Sequence, residues 1–261
     1  MTTVIVPVDF SETSLNAARY ATNMLSSSDG STVILYHGFS KSSEESEITD
    51  RLELLKAELS KTSKVKIEVL AFHDSDFVEG LEKTARHRNA NLIVIGVKGK
   101  SSLSHHFFGS NTLRLTQTTV CPVMVIPENA GFTKMDHVML ASDFKDTYNT
   151  TPSAPIKEFL NLHKPQLHIV NVDKNHYVSL TEKYEKEKES MKKLLEEFDP
   201  EFYFMRIYDV DEALDMFAKD RDIDVIIAIK KHHSFMQDLF HNNRTKRLTY
   251  HSHTPILVIH E

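Results

Sequence analysis

Short apolar runs alternate with longer polar stretches along the whole chain. Val4-Ile5-Val6, Val33-Ile34-Leu35, Leu92-Ile93-Val94-Ile95 and Val123-Met124-Val125-Ile126 are apolar at consecutive positions. Runs of this kind suit strands covered on both faces. The stretches between them carry apolar residues at helical spacing. Strand and helix in alternation predict βα units and a parallel sheet. The pattern places strands at about 3–9, 32–37, 65–71, 91–95 and 122–126, and helices at about 12–26, 46–61, 77–89 and 109–118. Ser11 can cap the first helix, and Glu12 suits the positive end of its dipole. Ser42-Ser43-Glu44-Glu45-Ser46-Glu47 reads as an acidic loop leading into the second helix.

The pattern then repeats. Val4-Ile5-Val6-Pro7-Val8-Asp9-Phe10 is echoed by Val138-Met139-Leu140-Ala141-Ser142-Asp143-Phe144. Asn91-Leu92-Ile93-Val94-Ile95 is echoed by Asp224-Val225-Ile226-Ile227-Ala228, and Cys121-Pro122-Val123-Met124 by Thr254-Pro255-Ile256-Leu257. Asp143 follows Asp9 by 134 positions, and Pro255 follows Pro122 by 133. A near-constant offset predicts duplication of a whole domain, 1–127 and 136–261, joined by the polar segment 128–135. Strands of the second copy fall near 137–142, 166–172, 202–208, 224–229 and 256–260. The charged stretch Glu182 to Glu189 reads as a solvated helix face that carries Leu194 and Leu195 in an apolar stripe.

Composition narrows the function. The chain has 261 residues, 40% of them hydrophobic, and a net charge of -6. No dense basic block is present, which disfavours nucleic acid as a partner. No apolar run approaches the ~20 residues of a membrane span. The first ten residues read as a strand and not as a signal peptide. Cys121 is the single cysteine, so no internal disulfide can form. That fits a reducing compartment and a cytoplasmic protein. A small buried side chain is the expected role of Cys121.

Candidate chemistry concentrates after the fourth strand. Of 7 glycines in the chain, three stand at Gly96, Gly99 and Gly109. Nine residues, Lys100 to Phe108, separate Gly99 from Gly109-Ser110. Strand gives way to loop and loop to helix here, where open α/β sheets bind phosphates.

This combination resembles the universal stress protein family. The residues that carry the resemblance are the first strand Val6-Pro7-Val8-Asp9, the spaced glycines with Ser110, and the closing strand Cys121-Pro122-Val123-Met124-Val125-Ile126-Pro127. The resemblance covers nearly all of both copies, as a tandem member. It implies two tandem open five-stranded parallel sheets, order 3-2-1-4-5, with helices on both faces, of the adenine nucleotide alpha hydrolase-like kind. It also implies ATP in the crevice at the carboxyl ends of strands 1 and 4. Any metal would then be Mg²⁺ held by phosphate oxygens and water.

Under that reading Asp9 accepts donors of the adenosine part, with an N-cap as its alternative role. Pro7 and Val8 form the wall near the base. Gly96 and Gly99 let the loop close on the phosphates. Gly109, Ser110, Asn111 and Thr112 present N–H groups and hydroxyls to phosphate oxygens. Lys98 and Lys100 neutralise phosphate charge or remain solvated. Gly38 stands where many nucleotide-binding relatives carry a valine beside the adenine, which weakens packing on the base.

The second copy lacks the motif. Ile229 stands for Gly96, His232 for Gly99, Asn242 for Gly109 and Asn243 for Ser110. The second copy is therefore expected not to bind ATP in the same mode, but to pair with the first within the chain. The chain would then be a monomer or a homodimer. His105, His106, His232, His233, His241, His251 and His253 cluster in the corresponding loops, without the accompanying ligands of a definite metal site. No Gly-Lys-Ser/Thr loop and no placed base suggest hydrolysis. Asp9-Phe10-Ser11-Glu12 stands where an ATP pyrophosphatase would carry a Ser-Gly-Gly loop. The expectation is a nucleotide-binding stress-response regulator that acts on an unidentified protein partner, with at most slow ATP hydrolysis. An adaptor with an empty pocket or another small ligand is the alternative.

Overall fold

The computed structural model describes residues 2–73, 75–98, 110–118, 121–172, 182–205, 210–231 and 254–261. Its chain divides into two units, Met1–Lys134 and Met135–Glu261.

In the first unit the strands are β1 (Thr3–Pro7), β2 (Thr32–Phe39), β3 (Lys66–His73), β4 (Leu92–Val97) and β5 (Val123–Pro127). All their pairings are parallel, in the order β3-β2-β1-β4-β5. The central strand β1 pairs with β2 on one side and β4 on the other, so consecutive crossovers leave in opposite directions at that seam. A crevice at the carboxyl ends of β1 and β4 is the consequence.

Helices cover both faces. On one face α3 (Phe77–His87) and α4 (Ser110–Thr118) bury Val78, Leu81, Ala85 and Leu115 against Ile5, Tyr36, Ile93 and Val125. The other face takes α1 (Glu12–Met24), with α2 (Glu45–Leu59) beside β2 and β3. Ala17, Ala18 and Ala21 are fully buried on α1, and such small residues let a helix lie close to a sheet. The acidic stretch 42–47 is not a loop: Ser42–Glu44 form a short 3-10 turn and α2 starts at Glu45. Asp76 caps α3 through the N–H groups of Val78 and Glu79. Cys121 is half-buried, and burial pushes its thiol up to about 12, so it is an unreactive packing residue.

The second unit repeats this plan. Its strands are β6 (His137–Ala141), β7 (Gln166–Val172), β8 (Glu201–Met205), β9 (Val225–Lys230) and β10 (Ile256–His260). They pair in parallel in the order β8-β7-β6-β9-β10. Small fixtures recur as well. Asn91 Oδ1 accepts the N–H of Thr3 in the first unit, and Asp224 Oδ2 accepts those of Asp136 and His137 in the second. Each ties the start of a fourth strand to the start of a first strand.

The units differ most at the first helix. The second unit has α5 (Thr147–Thr150) and α6 (Ser153–Leu160) in place of one continuous helix. Pro152 causes the break, because a residue before proline is driven out of helical conformation. Thr151 accordingly has φ -98° and ψ 110°. Further along, α7 (Glu182–Leu194) buries Met191, and Leu195 just after it, while its charged face stays in water. On the opposite face α8 (Val210–Asp220) buries Ala213, Leu214 and Phe217 on the sheet.

Candidate functional site

The site is built at the end of β1. Pro7 and Val8 are buried, and the chain then emerges at Asp9. Phe10 takes φ 62°, a left-handed conformation that turns the chain sharply into α1. Ser11 is the N-cap of α1 and its Oγ accepts from the N–H of Ser14. Asp9 is therefore not the cap. Its Oδ1 accepts the N–H of Ser11 at 3.0 Å and the hydroxyl of Ser11 at 2.5 Å. Burial opposes ionisation of Asp9, but the hydrogen bonds from the Ser11 hydroxyl and N–H outweigh it and hold the carboxyl below its usual range. Asp9 Oδ2 has no hydrogen-bond partner among the described residues and remains an ionised acceptor at the crevice.

Gly96 lies inside β4, not beyond it. A Cβ there would stand 2.0 Å from the carbonyl oxygen of Thr13 and 2.5 Å from its carbonyl carbon. Gly96 thus lets the first turn of α1 settle on β4, a close helix–strand packing. Packing on Thr13 is by itself a sufficient reason for a glycine here. Asn16 secures the same helix at the far side, donating to the carbonyls of Pro127 and Ala130.

Gly38 lies in β2. A Cβ there would meet Tyr36 Oη at 3.4 Å and Phe77 at 3.5 Å, which is ordinary contact. Lys98 follows β4 and is exposed. Ser110, Asn111 and Thr112 form the first turn of α4, with Thr112 buried and the other two exposed. Gly99, Lys100 and Gly109 lie outside the described residues, as do His105, His106, His232, His233, His241, His251, His253, Asn242 and Asn243. Among the described residues no cluster of three or more His, Cys, Asp or Glu could hold a metal ion.

Three residues near the site carry no motif. His37, at the end of β2, directs Nδ1 to the carbonyl of Val8 at 2.6 Å. Phe10 stacks on His37 with ring centroids 5.3 Å apart. The Arg51 guanidinium lies 3.8 Å from the centroid of Phe10. Only the spatial neighbourhood of β1, β2 and α2 joins them, so no spacing along the chain signals the group.

The second unit treats its corresponding end differently. Asp143, the repeat of Asp9, is buried, and Lys231 Nζ stands 2.7 Å from its Oδ1. The same ammonium donates to the carbonyl of Lys145 at 3.0 Å. Lys231 follows Lys98 by 133 positions. Ile229, in place of Gly96, is buried in β9. The α5 N-terminus is satisfied from elsewhere: the N–H of Thr147 donates to Glu187 of α7 at 2.7 Å.

Sequence comparison agrees with this architecture. Residues 1–127 match the model of the Universal stress protein family. A universal stress protein of Methanocaldococcus jannaschii is 29% identical over 136 residues, covering 47% of this chain and 80% of that protein. Among solved structures, a universal stress protein from Archaeoglobus fulgidus superposes with TM-score 0.72 at 16% identity, over 99% of this chain and 98% of that one. A further one from Pseudomonas aeruginosa gives TM-score 0.66 at 13% identity, over 100% and 93%. The fold is thus the parallel α/β fold expected from the sequence. The first half of the chain is similar in sequence to the universal stress protein family, and the fold of the solved universal stress proteins extends over both halves. No described helix is long and apolar enough to cross a membrane.

Proposed function

We propose that the first unit binds one adenine nucleotide, ATP, and that the chain is a stress-response regulator working through nucleotide-dependent conformation and protein contacts. The observation that carries this reading is Asp9. Its carboxylate is braced by Ser11, kept ionised, and left with a free oxygen at the switch point of a parallel sheet. That atom suits the hydroxyls of a ribose or the amino group of a base. Ser110, Asn111 and Thr112 open α4, whose N–H groups suit phosphate oxygens. Mg²⁺ would arrive with the phosphates, since no described cluster of carboxylates and histidines could hold it alone.

The second unit, on this reading, is a degenerate copy of the same domain that takes no nucleotide. Lys231 already pairs with Oδ1 of the carboxylate that a ligand would meet, and both side chains are buried.

A second reading, an adaptor with another ligand or none, draws on Gly96. Packing of α1 alone requires that glycine, so its presence does not by itself call for a phosphate. Mass spectrometry of protein purified without added nucleotide separates the two. Co-purified ATP or AMP supports the first; another metabolite supports the second. Titration with Asp9→Ala and Gly109→Val variants then tests the placement. Loss of the Asp9 carboxylate should weaken ATP about ten- to a hundredfold, the worth of a hydrogen bond to a charged group. Unchanged affinity in both variants would sink the assignment.

A further inference from the structure

Phe10 holds a backbone conformation that its residue type disfavours. Its φ of 62° lies in the left-handed region, where a bulky side chain is an outlier. Glycine adopts that conformation at no steric cost. Yet Phe144, which follows Phe10 by 134 positions, takes φ 48° at the same turn of the second unit. Both repeats therefore put a ring where the backbone alone asks for glycine. Such strain persists only where the surrounding structure holds it.

What holds each ring differs. Phe144 packs among Tyr184, Phe202 and Phe204, with ring centroids 5.3, 6.2 and 5.8 Å away. Phe10 has neighbours of another kind. The His37 ring stacks on it at 5.3 Å and 29°, and His37 is itself tied through Nδ1 to the carbonyl of Val8. The Arg51 guanidinium of α2 lies 3.8 Å from the Phe10 centroid, and Arg51 is exposed. A planar guanidinium stacks on an aromatic face and is attracted by it. The turn held in this way is the one that brings Ser11 back onto Asp9. Across it the Ser11 N–H and hydroxyl reach Asp9 Oδ1 at 3.0 and 2.5 Å.

We propose that Phe10, held by Arg51 and His37, is a positioning residue of the nucleotide site: it fixes the turn through which Ser11 braces Asp9 and so presents the Asp9 carboxylate already oriented. The inference rests on the nucleotide reading of the site. The role needs the rings beside the turn and not within the crevice, so neither Phe10 nor His37 has to touch the ligand. A carboxylate oriented before binding saves the cost of ordering it at that moment. Arg51 acts on Asp9 only through the ring of Phe10.

Two readouts on the full chain test the proposal: calorimetry with ATP, and the carboxyl-carbon chemical shift of Asp9 followed against pH. Phe10→Gly keeps the left-handed turn and removes the ring. Arg51→Met keeps a long side chain at an exposed position and removes the guanidinium. Phe10→Gly should weaken ATP about two- to tenfold, the cost of ordering one side chain on binding. The pKa of Asp9 should rise toward the ordinary carboxylate value in the same variant, as the bonds from Ser11 loosen. Arg51→Met should move both readouts in the same directions, with ATP weakened about two- to fivefold. In the Phe10→Gly background Arg51→Met should move neither. A Phe10→Gly chain in which either readout keeps its parent value would overturn the positioning role and leave the nucleotide site standing. A further loss from Arg51→Met in that background would overturn the route through Phe10. A parent chain that binds no ATP would overturn the nucleotide reading, and the positioning role with it.

Discussion

Lys231 and Asp143 form a buried ion pair, Nζ to Oδ1 at 2.7 Å, with the side chains only 6% and 3% exposed. Their counterparts in the first unit, Lys98 and Asp9, are both exposed. One repeat leaves its carboxylate exposed, and the other buries it against its own lysine. Gly96 and Ile229 mark the same divergence one layer deeper. The first unit seats a continuous α1 on a glycine, whereas the second fills that position with a side chain and breaks its first helix at Pro152.

Lys231→Met should destabilise the second unit by about 3–5 kcal/mol, because it strands a buried carboxylate. Asp143→Leu in the Lys231→Met background should recover much of that loss, as apolar replacements of buried pairs commonly do. Urea unfolding followed by circular dichroism measures both. Equal stability of Lys231→Met and the parent would mean that the pair does not hold the structure.

Gly96→Ala should displace the first turn of α1. A methyl 2.0 Å from the Thr13 carbonyl oxygen cannot be accommodated by a side-chain movement. The expected cost is about 3 kcal/mol, the upper part of the usual range for overpacking. Thermal unfolding reads the stability. An alanine variant as stable as the parent would contradict the packing role.

Ser11→Ala should remove the α1 cap at a cost of about 1 kcal/mol. It should also raise the pKa of Asp9, whose carboxyl is held down by the Ser11 hydroxyl and N–H against the opposing effect of burial. Carboxyl-carbon chemical shifts followed against pH measure the change. An unchanged Asp9 titration would remove the bracing argument.

Acid should weaken the second unit through His168. Burial lowers its pKa first; the neighbouring Glu201 raises it, and His137 and Arg221 lower it further. His168 is buried, with His137 Nδ1 at 3.2 Å from its Nε2. A histidine with a depressed folded pKa takes up fewer protons than the unfolded chain does. Its contribution is therefore complete above the unfolded pKa of about 6.5 and is lost as pH falls through the folded value. Unfolding free energy measured between about pH 7.5 and pH 5 should decline in the parent and decline less in His168→Gln. That window lies above the range in which Glu201, itself held low by the Tyr203 hydroxyl, begins to protonate.

The apolar runs located the strands because parallel strands covered on both faces leave little room for polar residues. The strands expected at 166–172 and 256–260 are β7 and β10, and β1 ends two residues before the expected position because the chain turns at Asp9 and Phe10. Ser11 was readable as a cap because its signal is local. The role of Gly96 was not, since the atom it admits belongs to Thr13, on another element. The Lys231–Asp143 pair spans 88 positions, and no local pattern announces such a bond. The repeat offset held the missing clue: it aligns Lys231 with Lys98 and Asp143 with Asp9. Pro152 is a local signal, readable from the sequence, of the break between α5 and α6.

The central claim is one open nucleotide site and one closed by its own lysine. Isothermal titration of the full chain with ATP tests it most directly. The account predicts one ATP per chain, with binding lost in Asp9→Ala and retained in Asp143→Ala. Two ATP per chain, or a single site that survives Asp9→Ala and disappears in Asp143→Ala, would contradict it.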